Sequence, residues 1–221
     1  MQPMLSVDFH CHTWFSPDSL VNPANLLVTA RQRGIDRLVI TDHNTIRGAQ
    51  AAAELDPGRI IIGEEIMTPQ GELLAAFVSE EIPGGLPAVQ TIALLRAQQA
   101  FISVSHPFDR ARHGWELNDL LEILPLVDAI EIYNSRCITP RHNHLARKLA
   151  QQYNLAGTAG SDAHTLVEVG AAVMQVPVFK TAADLRSVIN QGEICARMSP
   201  IWVHLCSTYA KWKKKAGGKK D

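Results

Sequence analysis

Cysteine is scarce in these 221 residues: Cys11, Cys137, Cys195 and Cys206 are far apart, and no two form a Cys-x-x-Cys pair. That spacing excludes a paired-thiol motif. No apolar run is long enough to cross a bilayer, and the first residues lack a secretory-leader pattern. Together these absences predict a reducing, cytoplasmic setting. Net charge is scarce too, at −1 overall, but it is uneven. Residues 211–221 carry six lysines against one aspartate (+5), which leaves residues 1–210 at −6. The body therefore has no basic excess suited to a broad nucleic-acid footprint. No internal repeat is visible.

What the chain does have is 46% hydrophobic content, enough at this length for one α/β domain with a sizeable core. Strand-like runs at 37–41, 59–66, 73–78, 101–105, 128–132 and 155–160 alternate with helical segments at 23–33, 45–54, 116–123 and 140–153. Another helix opens at Pro87. Asn22 with Pro23 and Gly34 supply start and stop signals for the first helix, and Pro140 occupies a favoured first-turn position. The pattern continues through a short strand near 172–176, a helix at 181–190, a strand near 194–196 and a final helix at about 200–212. Repeated βα units predict a parallel sheet. The expected organisation is a barrel over residues 1–200, a helix at 201–212 packed on it, and a flexible lysine-rich tail at 213–221. Ile201, Trp202, Leu205, Cys206, Tyr209 and Trp212 recur at helical spacing and are the face expected to pack.

The chemistry sits at the ends of the strands. In an extended Asp8-Phe9-His10-Cys11-His12, His10 and His12 share one face while Val7, Phe9 and Cys11 share the other. The theme recurs: 38–40 runs into Asp42 and His43, 60–62 into Glu64 and Glu65, 101–104 into His106, and 155–159 into Asp162 and His164. Donors from early, middle and late strands meet most easily at the mouth of a closed barrel. Five histidines and three carboxylates brought together there would be desolvated and mutually repulsive without cations. Glu64, of opposite strand phase, is expected to face away, and Asp42 is open to a helix-capping role. His113, His142, His144 and His204 lack ligand-spaced partners and are expected at the surface. Glu131 and Asn134 fit a supporting role behind the ligands.

The ordered motifs His10-x-His12, Asp18, Thr41-Asp42-His43, Gly63-x-Glu65, Ser105-His106-Pro107 and Gly160-Ser161-Asp162-Ala163-His164 resemble the PHP (polymerase and histidinol phosphatase) family. The resemblance covers about residues 4–198. It implies a distorted (β/α)7 TIM-like barrel of PHP type, with a trinuclear metal centre and phosphoesterase activity. Carried over by position, it implies one metal on His10, His12, Glu65 and Asp162, with Glu65 bridging to a second metal that also takes His106. A third would take Asp18, His43 and His164. Asp18 stands where some members have histidine. Glu72, in Gly71-Glu72-Leu73-Leu74, aligns with a segment that often reads Gly-His-Leu-Leu. As a ligand, Glu72 would shift preference from zinc toward manganese, iron or magnesium.

The function so implied is hydrolysis of a phosphorylated small molecule or nucleotide by a metal-bound hydroxide, with two or three divalent ions as cofactors. Arg110 and Arg136, which follow strand ends, are candidates to hold substrate phosphate. The alternatives are a nuclease-like phosphodiesterase, which the acidic body disfavours and the lysine tail favours, and a noncatalytic metal-bound accessory module. An amidohydrolase-like hydrolase is compatible with the barrel alone.

Overall fold

A computed structural model describes residues 3–217. The first half alternates β1 (Met4–Cys11), α1 (Pro23–Gln32), β2 (Arg37–Ile40), α2 (Arg47–Leu55), β3 (Ile60–Met67), β4 (Glu72–Ala76) and α3 (Ala88–Ala97). There follow β5 (Phe101–Val104), α4 (Leu117–Ile123), β6 (Ala129–Asn134), α5 (Pro140–Gln152) and β7 (Ala156–Gly160). The chain then forms β8 (Ala172–Pro177), α6 (Ala182–Val188), β9 (Glu193–Ala196) and α7 (Val203–Gly217). The local signals for α1 operate as expected. Asn22 Oδ1 accepts from the Ala24 amide at 2.8 Å, and Gly34 leaves the helix at φ +67°, where a Cβ is disfavoured.

The sheet runs in the order β7-β6-β5-β4-β3-β2-β1-β8-β9. Strands β1 to β7 make the distorted barrel, and β1 closes it by dividing one edge between two partners. Its first half pairs antiparallel with β8 from Met4 to Val7. Further along, the His12 amide donates to the Ala163 carbonyl at 2.9 Å and the Asp162 amide to the His10 carbonyl at 2.7 Å. The ring therefore closes beside the histidines. Strand β4 is antiparallel to both neighbours, unlike the other strands of the ring. Because it runs backwards, its first residue, Glu72, lies level with the C-terminal ends of the rest.

The expectation that Val7, Phe9 and Cys11 share a face does not hold. The pairing of β1 with β2 shifts between Asp8 and Cys11. Val7 and Phe9 join an interior cluster with Val39, Ile61, Phe101 and Ala129, whereas Cys11 packs with Leu26, Ile40 and Ala49 beneath α1 and α2. An irregularity of this kind re-aims side chains next to a site, and here it permits an apolar barrel floor and a polar mouth on the same strand. The Asp8 carboxylate lies beside the irregularity, accepting from the amides of Ser161 at 2.9 Å and Gly170 at 3.0 Å.

The last helix also differs from expectation. It starts at Val203 and continues to Gly217, so Lys213, Lys214 and Lys215 are helical and not part of a flexible tail; residues 218–221 lie outside the described residues. The face against the barrel is Val203, Ser207 and Ala210, while Ile201, Leu205 and Trp212 of the aromatic stripe are 76%, 72% and 66% exposed. The physical reason is that polar contacts hold the inner face. Arg136 Nη2 donates to Ser207 Oγ at 2.9 Å, and Lys214 Nζ donates to the carbonyls of Trp14 and Ser16. Small residues then let the backbones approach closely. No helix among the described residues is long and apolar enough to cross a membrane.

Candidate metal centre

Glu65 is the hub of the mouth. On β3 it follows the inward phase of Ile61 and Gly63, and Gly63 is required because a Cβ there would lie 2.6 Å from the Ala75 carbonyl and 2.7 Å from Val39 Cγ1. Glu65 Oε2 lies 3.2 Å from His10 Nε2, 3.3 Å from His12 Nε2 and 3.2 Å from His43 Nδ1. Oε1 lies 3.4 Å from His106 Nε2 and accepts from Ser105 Oγ at 2.7 Å. One carboxylate thus faces donors on both sides, the arrangement a bridging ligand needs.

The other predicted donors converge on it. Asp162 Oδ1 is 3.6 Å from His10 Nε2, 3.3 Å from His12 Nε2 and 3.3 Å from His164 Nδ1. Asp162 itself has φ +53°, a left-handed conformation that costs energy for a residue with a Cβ and turns the chain at the ring closure. Asp18 Oδ1 is 3.1 Å from His164 Nε2, and Oδ2 is 3.6 Å from His43 Nε2. Glu72 Oε2 is 3.3 Å from His106 Nε2. The structure therefore brings His10, His12, Asp18, His43, Glu65, Glu72, His106, Asp162 and His164 into one cluster. Ligand atoms lie within 4.8 Å of one another in each of the sets His10-His12-Asp162, His12-His43-His164 and His43-Glu65-Glu72.

The electrostatics call for cations. Burial opposes charge on His10, but the carboxylates of Glu65, Asp162 and Glu131 overcome it and hold its pKa well above the usual histidine range. His43 is likewise carried to about 10 against burial, by Glu65 and Asp18. Burial and the charge of Glu65 push the Glu72 carboxyl up to about 7. Burial and the neighbouring His164 take His12 down to about 4. A cluster that disfavours a second anion at Glu72 beside Glu65, yet favours the charged form of His10 and His43, has negative charge in excess. Asp18 Oδ1 and His43 Nδ1 make no well-aligned hydrogen bond despite these close neighbours, and His106 Nδ1 is buried without a hydrogen-bond partner. Nitrogen and oxygen donors in this arrangement fit divalent ions.

A supporting layer orients the donors. Glu131 Oε1 meets His10 Nδ1 at 2.9 Å, and Glu131 Oε2 accepts from the His106 amide at 2.9 Å and from Asn134 Nδ2 at 3.0 Å. Ser16 Oγ meets His12 Nδ1 at 3.0 Å. Asp42 does not cap α2. Its carboxylate accepts from the Thr13 amide at 2.7 Å, Thr13 Oγ1 at 2.6 Å and Ser16 Oγ at 2.7 Å, pinning the loop that leads to Asp18. Gly48 makes room for this, since a Cβ would lie 1.9 Å from Asp42 Oδ2. Glu64 turns away as expected and accepts from the Ile82 amide at 3.0 Å, with burial lifting its carboxyl to about 8.

A cavity of about 380 Å³ opens above the cluster. The predicted phosphate-binding arginines are placed differently from each other. Arg110 is 60% exposed, pairs with Glu116 and does not line the cavity. Arg136 touches the wall but is buried, with Glu168 Oε1 at 3.2 Å and Ser207 as partners. Arg112, which sequence reasoning missed, does enter. It pairs with Asp162, and its Nε donates to Asp109 Oδ2 at 3.0 Å. A short 3-10 turn at Arg110–Arg112 decides which arginine points inward, and no spacing rule in the sequence specified it. His113 and His204 line the outer wall, apart from the ligand sets, whereas His142, expected at the surface without ligand-spaced partners, is half-buried beside Asp109 and Cys137 in a further set of ligand-capable atoms, its Nδ1 3.8 Å from Asp109 Oδ2.

Residues 8–155 match the PHP domain family, and residues 140–194 match the PHP-associated family. Two uncharacterised proteins of Methanocaldococcus jannaschii are similar: one is 35% identical over 59% of this chain and 82% of its own length, the other 37% over 77% and 70%. A protein of Caldicellulosiruptor bescii named as a probable phosphatase is 25% identical over 75% of this chain and 82% of its own. Among solved structures, PsfC from Pseudomonas syringae aligns with a TM-score of 0.70 at 20% identity, over 96% of this chain and 99% of that one. The lesion-specific endonuclease PfuEndoQ from Pyrococcus furiosus aligns at 0.59 and 13% identity, over 86% and 57%. At those identities the two structures show a shared fold.

Proposed function

The chain belongs to the PHP domain family, and from that premise we propose that it hydrolyses a phosphate ester of a small molecule or nucleotide at a di- or trinuclear divalent-metal centre. One observation carries this reading: eight ligand-capable side chains gather around Glu65 at the base of a cavity of about 380 Å³, whose wall also carries Arg112 and Lys211. That volume suits a small ligand better than a polymer. The bound ions would supply Lewis acidity toward phosphate oxygens and a nucleophilic water near neutral pH.

The protein's own share is placement. His10, His12, Glu65 and Asp162 would hold one ion, Glu65 with His106 and Glu72 a second, and Asp18, His43 and His164 a third. Glu131 fixes the ring of His10 and, through the His106 amide, the start of the loop after β5. Arg112 holds Asp162 Oδ2, which leaves Oδ1 directed at the histidines. Glu72, a carboxylate where the family segment often has histidine, supports manganese, iron or magnesium over zinc, since an added hard oxygen ligand suits those ions. Four unpaired cysteines support a reducing, cytoplasmic setting.

The decisive measurement is turnover of a panel of phosphomonoesters, phosphodiesters and nucleotides by protein stripped with chelator and then reloaded with Mn²⁺. Hydrolysis of small esters that needs the added ion is the expected result. Turnover confined to nucleic acid would favour the nuclease reading, and inertness across the panel would favour an accessory module.

A further inference from the structure

The C-terminal helix α7 forms one wall of the cavity. His204, Ser207, Thr208 and Lys211 recur at spacings of three and four, share one helical stripe, and all line that wall. The helix is held in place by the Arg136–Ser207 hydrogen bond and by Lys214 on the carbonyls of Trp14 and Ser16, so the stripe has a defined position over the loop that carries Asp18.

The three lysine and arginine side chains that line the cavity differ in how they are committed. Arg112 has Asp162 and Asp109, and Arg136 has Glu168 and Ser207. Lys211 is 62% exposed, and among the described residues its ion-pair partner is Asp18, with Nζ 3.3 Å from Oδ2. Asp18 also faces His43 and His164. A divalent ion held by Asp18, His43 and His164 would therefore compete with Lys211 for one carboxylate. Two cations at one carboxylate repel, and an incoming phosphate dianion relieves that repulsion by offering oxygens to both. We propose that Lys211, contributed by α7, is a substrate-phosphate ligand that releases Asp18 to the metal and takes a phosphate oxygen in its place. This rests on the phosphoesterase reading for the identity of the anion. It also assigns the helix a role in the site that the apolar stripe on its outer face conceals.

The test is calorimetric binding of inorganic phosphate to the full chain loaded with Mn²⁺, beside metal titration in phosphate-free buffer. Lys211→Gln should weaken phosphate binding about tenfold or more, the loss expected for one charge-assisted hydrogen bond. The same variant should bind Mn²⁺ at least as tightly as the unaltered chain when phosphate is absent, because a competing charge is gone. Lys211→Arg should restore most of the phosphate affinity, which a merely structural role would not produce. In turnover the Lys211→Gln loss should fall on KM. Phosphate affinity unchanged in folded Lys211→Gln overturns the proposal, as does a metal-loaded chain that takes up no phosphate. If phosphate binding depends on Lys211 but no ester is hydrolysed, this inference stands and the phosphoesterase reading falls. If esters are hydrolysed with an unchanged KM in Lys211→Gln, the reverse holds.

Discussion

The floor and the mouth of the barrel are built from the same strands and obey opposite physics. At the floor, inward positions carry Val39, Ile61, Ala76, Phe101 and Ala129, which bury apolar surface and need no partner. A few residues further along the chain, inward positions carry Glu65, His106 and Glu131, which are buried, and the half-buried His43, at a cost that hydrogen bonds offset in part. The floor stabilises the ring, and the mouth draws on that stability to hold like charges together. Supporting bonds from Ser105, Ser16, Asn134 and Arg112 are the visible compensation.

The contrast is sharpest under truncation. Phe101→Ala should lower unfolding free energy by about 3–5 kcal/mol in a urea titration, as large-to-small changes in a packed interior do, while the folded fraction keeps its metal content. Metal loss in step with stability would break the distinction between the two regions. Next in size is the effect of the ions themselves. Mn²⁺ at a hundredfold excess over Kd should raise the unfolding free energy by about 2.7 kcal/mol per site, and Glu65→Ala should remove most of that gain together with bound metal. Full metal occupancy in Glu65→Ala, measured by elemental analysis, would sink the bridging role.

Glu72 tests one proposed ligand of the mouth in isolation. Glu72→Gln should weaken one ion about tenfold, equivalent to about 1.4 kcal/mol, with the fold intact by circular dichroism. Glu72→His should be tolerated with an altered metal preference, and unchanged metal content in Glu72→Ala would place the side chain outside the centre. The smallest effect belongs to the floor's covering helix. Thr181 Oγ1 accepts from the Asp184 amide at 3.1 Å while Asp184 Oδ2 accepts from the Thr181 amide at 3.0 Å, and Leu185 packs on the floor cluster. Thr181→Ala should cost about 1 kcal/mol in thermal unfolding and leave metal binding untouched.

Much of this was legible along the chain. The phase of Glu64 against Glu65 placed one outward and one inward, because β3 keeps its alternation through the ligand. Asn22 and Gly34 bounded α1 through groups within a few residues of each other. The supporting place of Glu131 and Asn134 followed from their position at the end of a strand. What could not be read involved partners distant in sequence. The shift in β1 depends on sharing an edge with β8 and with residues 162–163, so Phe9 and His10 could not be assigned from alternation alone. Arg112 enters the cavity because a turn aims it at Asp162, fifty residues away. Asp42 abandons the cap it was offered because Thr13 and Ser16 reach it first.

Helix α7 marks the boundary most clearly. Two stripes at helical spacing run along it, one apolar and aromatic, the other Val203, Ser207 and Ala210. Hydrophobicity alone selects the first, and the protein buries the second. Local periodicity and side-chain chemistry were enough to set the alternation of strands and helices, the donor types and their order along the chain. The ring closure at β1, the inward arginine and the face of α7 that meets the barrel emerge with the packed fold. Each of those depends on which buried polar atoms find a partner across the fold, and that pairing exists only after the chain has closed.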